Sequence, residues 1–407
     1  MHWQLAAYLA ATRAIPLLAP AVLRRRLARG KEDPARWTEK LGRPSAPRPA
    51  GRLVWLHAVG LGEVLALRGL IAALAGQAPE LSFLVTSGTR ASAEVLAANL
   101  PPRTTHQFLP LDAPGYLARF LAHWRPDLSI WAEQELWPGA VVAAHRAGVP
   151  LALVNARMNA DSFARRSRGR GLYANLLARF RLIAAQDDAT ARHLRALGAG
   201  EVRVTGSLKA AAPPLAADPA RLAALETALA GRALWLLASS HPEDEAAALA
   251  TAPDDRLLVI VPRYPDRGAG IEAAARATGR SVTRAGAGQA PGPAQVHIAD
   301  AFGELGLWYR LAPLALVGGS FGPVQGHNPW EPAALDCAIL HGPATANFAA
   351  DYAQLDGAGA ARAVTAATLP AALSADPAPF AARARALSDA ARTSLAPLAR
   401  DLAGLLR

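Results

Sequence analysis

From residue 53 onward, short apolar runs alternate with longer stretches whose apolar positions recur at helical spacing. The runs at 53–57, 82–86, 106–110, 128–132, 151–155, 181–185 and 202–205 predict strands, and the periodic stretches 63–76, 89–99 and 114–124 predict helices. Runs such as "LVWLH" and "LSIWA" are apolar at nearly every position, the pattern of parallel strands covered on both faces. Around 208–220, "LKAAAPPLAADPA" breaks the rhythm with Pro213, Pro214 and Pro219 and reads as a hinge. The alternation then restarts at 233–238, 257–262, 280–284, 295–299, 313–318 and 337–341. The fold class this predicts is α/β: two doubly wound, Rossmann-like domains facing a cleft. The organisation is an N-terminal helix at 1–30, a first domain at 31–208, a second at 209–377, and a helical segment at 378–407 packing back on the first domain. In such sheets ligands sit beyond the carboxyl ends of the strands, so the residues that follow strands carry the chemistry.

The stretch before the first strand has two readings. Residues 3–23 are apolar but interrupted by Arg13, Pro16 and Pro20, and "RRRLARGK" follows. A signal peptide places its basic residues first, and a spanning helix tolerates few charges. The stretch is either a monotopic anchor with its arginines on anionic headgroups or a buried helix of the first domain. The formal net charge of +11 over 407 residues calls for an anionic partner: nucleic acid, anionic membrane or a phosphorylated substrate. Basic and aromatic residues do not interleave in the manner of base-stacking surfaces, which disfavours nucleic acid. The single cysteine, Cys337, excludes an internal disulfide and a cysteine-based zinc site.

Four constellations follow strands. "HAVGLGEV" at 57–64 has Gly60 and Gly62, but Leu65 stands where a dinucleotide fingerprint needs its third glycine. It delivers Glu63 to the start of a helix, either as a general base or as a complement to the helix dipole. "WAEQELWPG" at 131–139 brings Glu133 and Glu135 to a strand end, where acids need a task or a basic partner such as Arg157. "VPRYPDR" at 261–267 places Arg263 and Arg267 where a guanidinium can clamp a phosphate. In "LVGGSFGPVQGHNPWEPAAL" at 316–335, a glycine loop precedes a helix start, with Asn328 as cap, Pro329 first and Glu331 in the first turn. That reads as an anion site. His327 has no ligand-spaced partners and reads as a hydrogen-bonding histidine.

These residues resemble the 3-deoxy-D-manno-octulosonic acid (Kdo) transferases of lipopolysaccharide synthesis, glycosyltransferases of GT-B fold. In chain order, "WLHAVGLGEV", "EQELWPG", "VNARMNADS", "VTGSLK", "VPRYPDR", "DAFGELGLWYRLAPLALVGGSF" and "GHNPWEPAAL" are each similar to a family motif, as is the basic N-terminal helix. The sequence departs from the family at Gly60 (serine), Gln134 (threonine), Gly139 (asparagine), Tyr264 (histidine) and Gln325 (glycine).

The resemblance implies inverting transfer of Kdo from CMP-Kdo to a lipid A precursor, with Glu63 as the base. It places His57, Gly62, Glu133, Glu135 and Arg157 on the acceptor. It places Lys209, Arg263, Gly303, Glu304, Gly318, Gly319, Ser320, Gly326, His327, Asn328 and Glu331 on the donor, Glu331 at the ribose. No cofactor and no metal are expected, and the partners are CMP-Kdo, the lipid A precursor and anionic inner-membrane lipids, without nucleic acid. The expected location is the cytoplasmic face of the bacterial inner membrane. The arginine-rich stretch 165–171 would meet acceptor phosphates. The alternatives are another GT-B transferase or epimerase using a UDP-sugar, and a basic nucleic-acid-binding protein.

Overall fold

The computed structural model describes residues 2–406 apart from Gly60, Asn99, Gln134 and Glu135. The chain divides into two compact units, residues 1–212 with 391–407, and residues 213–390. The division falls after Ala212, inside the 208–220 stretch read as a hinge but past the expected boundary at 208/209, so Lys209 belongs to the first unit.

In the first unit, strands β1 (Leu53–His57), β2 (Ser82–Ser87), β3 (Thr104–Phe108), β4 (Leu128–Ala132), β5 (Leu151–Ala156), β6 (Leu182–Ala185) and β7 (Arg203–Val204) form one sheet. Its order is β3-β2-β1-β4-β5-β6-β7, with every described pairing parallel. Successive side chains of a strand point to opposite faces, so Leu53 and Trp55 enter one core with Trp124 and Trp131. Val54 and Leu56 enter the other, with Leu70, Phe83 and Ile130. Leu395, Leu398 and Leu402 of the C-terminal helix (Ala378–Gly404) are buried in that second core.

In the second unit, β8 (Leu234–Ser240), β9 (Leu257–Pro262), β10 (Val282–Arg284), β11 (Val296–Ile298), β12 (Leu314–Val317), β13 (Ala338–His341) and β14 (Ala361–Ala363) form a sheet of order β10-β11-β9-β8-β12-β13-β14, again parallel. The edge strand β14, "ARA", is too short and too alanine-rich to be read from sequence. In each sheet the first strand in the chain lies centrally, with a later strand on each side: β1 between β2 and β4, and β8 between β9 and β12. There the connections leave in opposite directions, opening a crevice at the carboxyl ends.

The N-terminal helices are docked on the first unit at one end and expose apolar side chains at the other. Helix α1 (Trp3–Ala11) docks on the first unit: Leu5 is wholly buried, the Tyr8 hydroxyl donates to Asp112 Oδ2 at 2.8 Å, and Gln4 accepts from Leu172 N–H. Helix α2 (Ile15–Ala28) buries Ala19 and Leu23 but leaves Leu17 81% and Leu18 71% exposed. Together they make a helical run, Trp3–Ala28, apolar and long enough by composition to cross a membrane.

Candidate active site

The first unit's chemistry gathers at its switch point. Helix α3 (Leu61–Gln77) starts after β1 with Gly62 and Glu63 in its first turn. The Val59 N–H donates to Glu63 Oε2 at 3.2 Å, and the helix N-terminus favours the carboxylate. Glu133 follows β4 directly and is held at φ +60°. Such a left-handed non-glycine position costs energy and is retained where surroundings dictate it. The Glu63 carboxyl is its acidic neighbour. Lys209 Nζ lies 3.1 Å from Glu133 Oε1, both side chains only 10% exposed. Burial pushes the Glu133 carboxyl up to about 7; Lys209 pulls it down, and the Glu63 carboxyl pushes it up.

Asn155, at the end of β5, ties this cluster together. Its Nδ2 donates to Glu133 Oε1 at 3.4 Å, and its Oδ1 accepts the Leu208 N–H at 2.9 Å, anchoring the turn that presents Lys209. Sequence reading passed over Asn155, although it lies in "VNARMN" beside Arg157. Arg157 and Glu133 both line a small pocket with Arg166, Tyr173 and Met158. His57 sits inside the core, 1% exposed, with Nδ1 on Thr86 and its ring edge-on to Trp131. Burial lowers it to about 4, so it is a neutral support behind the site rather than a surface group. Glu135 lies outside the described residues.

The second unit's chemistry also gathers at its switch point, with opposite character. His241 follows β8, and His327 stands in the loop after β12. Their Nε2 atoms are 2.9 Å apart, which needs one proton between two neutral rings. Burial, His241 and Arg263 lower His327 to about 4; burial likewise lowers His241. Arg263, after β9, lies over the Tyr264 ring and has no ion pair among the described residues. Burial pushes Glu331 up to about 7, against Asn328 and Arg263. Sequence reading passed over His241; its only signal was its place directly after a strand, in "LASSHPEDE".

Four expectations change here. Lys209, expected on the donor, pairs with Glu133 in the first unit. In the glycine loop, expected to precede an anion-binding helix start, the amides of Gly319, Ser320 and Phe321 are held by the Asp244 carboxylate at 2.6, 3.2 and 3.0 Å. Ser320 is wholly buried and its hydroxyl donates to Val317 O, so it is structural; Gly318 packs beneath it against β8, its N–H on Ala238 O. Gly319 is needed at φ +67°, where a Cβ would fall 3.1 Å from the His327 ring. The helix after Asn328 is only Trp330–Ala333, one turn with little dipole, although Asn328 Oδ1 does accept the Trp330 N–H. Arg267 is engaged by Glu245 through two bonds of 2.7 and 2.8 Å, leaving Arg263 as the guanidinium beside the histidines. Gly303 (φ +85°) and Glu304 open the helix Leu305–Leu311, with Glu304 on Arg221 at 3.2 Å, and Gly326 (φ +85°) donates to Gly319 O. Among the described residues no set of three His, Cys, Asp or Glu could hold a metal ion.

The chain is similar to known proteins over most of its length. Residues 35–212 match the profile of a family described as 3-deoxy-D-manno-octulosonic-acid transferase (kdotransferase). The 3-deoxy-D-manno-octulosonic acid transferase of Rickettsia bellii is 33% identical over 325 residues, 78% of this chain and 77% of that one. That of Bordetella pertussis is 35% identical over 318 residues, 74% of each chain. A glycosyltransferase from Rickettsia africae superposes with a TM-score of 0.53 over 88% of this chain and all of that one; at 10% identity this shows the fold alone, which is of GT-B type. At such identity over such a share of its length, the chain belongs to the 3-deoxy-D-manno-octulosonic acid (Kdo) transferase family.

Proposed function

We propose that the chain transfers Kdo from CMP-Kdo to a lipid A precursor in a single displacement with inversion. The observation that carries this reading is the carboxyl pair Glu63–Glu133 at the switch point of the first sheet, in a chain of this family. Glu63 is the base that takes the proton of the acceptor hydroxyl. The leaving group is a phosphate monoester, so one guanidinium meets its charge: Arg263, beside two histidines that stay neutral at pH 7. In this reading no metal is required. Glu331 and Asn328 hold the ribose, at 3.5 Å from each other.

The acceptor is met at a membrane surface. Trp3, Leu17, Leu18 and Val22 are exposed, and Arg24, Arg25 and Arg26 follow on α2. Apolar side chains entering the headgroup boundary, with arginines on anionic lipid, give the two signals that stable anchoring needs. The location proposed is the cytoplasmic face of the inner membrane.

The test is mass spectrometry of the lipid formed from lipid A precursor with CMP-Kdo or with UDP-sugars as donor. The expected result is a lipid heavier by whole Kdo residues, with CMP released, from CMP-Kdo alone. Transfer from a UDP-sugar with none from CMP-Kdo would overturn the reading.

A further inference from the structure

One carboxylate in the second unit binds both loops that carry its histidines. Asp244 Oδ2 accepts the His241 N–H at 3.0 Å and the Gly319 N–H at 2.6 Å, and Oδ1 accepts the N–H groups of Ser320 and Phe321 at 3.2 and 3.0 Å. His241 is thereby set against His327. Their Nε2 atoms are 2.9 Å apart, their ring centroids 5.2 Å apart, and their planes differ by 14°. Those values lay the rings end to end in nearly one plane rather than face to face. The contact is an in-plane N–H···N hydrogen bond, with one Nε2 donating and the other accepting. The helix Pro242–Thr251 decides which. It opens with a capping box, in which the His241 ring accepts the Asp244 N–H while the Asp244 side chain accepts the His241 N–H. With Nε2 on His327, the His241 nitrogen that accepts there is Nδ1. A neutral imidazole has one N–H, so His241 carries it at Nε2. His327 then accepts at Nε2 and carries its own hydrogen at Nδ1, which no protein group takes among the described residues.

We propose that His241 is a positioning residue for the sugar donor: its Nε2–H fixes His327 in the tautomer whose Nδ1–H is given to an oxygen of the donor's phosphate, beside Arg263. This rests on the reading of the chain as a transferase that uses a nucleotide-activated sugar. The other tautomer of His327 would set N–H against N–H across the 2.9 Å contact. It would also turn a lone pair toward the phosphate oxygen, which repels it. The ring is held from behind as well: a Cβ on Gly319 would meet His327 at 3.1 and 3.2 Å, so bare backbone packs close against it. Burial lowers both histidines, and Arg263 lies close enough to lower them further. The pair therefore stays neutral, and the charge that meets the phosphate is the guanidinium's. His241 moves no proton in this account; it sets the direction in which His327 donates.

The experiment joins long-range proton–nitrogen NMR of the full chain, nitrogen-15 labelled at histidine and free of ligand, to calorimetry of CMP and of cytidine. The NMR should show His241 protonated at Nε2 and His327 at Nδ1. His241→Phe keeps a ring but has no N–H to give. In it His327 should turn toward the Nε2–H tautomer, and CMP should bind about tenfold more weakly or worse, the worth of one hydrogen bond to a charged group, with cytidine little changed. His241→Gln carries an amide N–H near the place of Nε2 and should restore both the His327 tautomer and the CMP affinity. His327 found as Nε2–H in the full chain would overturn the proposal. So would CMP affinity unchanged in His241→Phe, or a Gln variant as weak as the Phe variant. CMP and cytidine weakened alike, with the His327 tautomer unmoved, would overturn it in favour of a structural role. If His241→Phe does not fold, the full-chain spectrum decides: the stated tautomers support the proposal and the reverse pair contradicts it. The stated tautomers, with the same dependence on His241 found for UDP in a chain that does not bind CMP, would fault the CMP-Kdo reading and leave the role of His241 standing.

Discussion

The two units share one architecture and run opposite chemistry at the same topological position. In the first, the segments after β1, β4 and β7 bring together two carboxyls and one ammonium, which in the proposed function serve proton removal. In the second, loops after β8, β9 and β12 bring together two neutral histidines and one guanidinium, which in the proposed function meets the donor's phosphate. The sheets differ little in what they supply: a rigid floor and a crevice. Site character is set by a handful of residues placed just past strand ends, which is why fold likeness at 10% identity says nothing about substrate.

The largest expected effect separates the two clusters outright. Glu63→Gln should cost about 10²–10⁴ in kcat, the usual worth of a positioned base, while calorimetry finds CMP binding unchanged. Retention of more than about a tenth of the rate would remove Glu63 from the base role. The mirror experiment is Arg263→Ala. A charged hydrogen bond is worth about 1.5–3 kcal/mol, so CMP should bind roughly ten- to a hundredfold more weakly while cytidine is little affected. Equal loss for both ligands would move Arg263 off the phosphate.

Next in size comes the proposed membrane face on the N-terminal helices of the first unit. Leu17→Glu with Leu18→Glu should weaken binding to anionic vesicles by about tenfold or more, since each buried leucine is worth about 1.5–3 kcal/mol. Activity on detergent-dispersed acceptor should persist. Substitution is the sound design here, because deleting the N-terminal helices would also pull Leu5 out of the core. Smallest is Glu331→Ala, expected to weaken CMP and cytidine alike by about fivefold through lost ribose bonds. A loss confined to CMP would place Glu331 at the phosphate.

Much of the fold was legible because parallel strands buried on both faces read as continuous apolar runs, and the prolines at 213, 214 and 219 mark the break between units. Glu133 and Arg263 were legible because each directly follows such a run, and Glu63 because it opens the helix after one. What escaped depended on partners distant in sequence. Nothing in "GGSF" reveals that Asp244, some seventy-five positions earlier, already fills its amides. Nothing in "VTGSLK" reveals that Lys209 turns back to Glu133 through Asn155. The one-turn helix after Asn328 could not be read either, since the cap residues are the same whether one turn follows or three.

The central claim is one displacement assisted by one base on the first unit, and the anomeric configuration of the product tests it most directly. NMR of the lipid formed from CMP-Kdo should show the new linkage inverted relative to the donor. Retained configuration would require a covalent or front-side route and would contradict the assignment of Glu63 as the single general base.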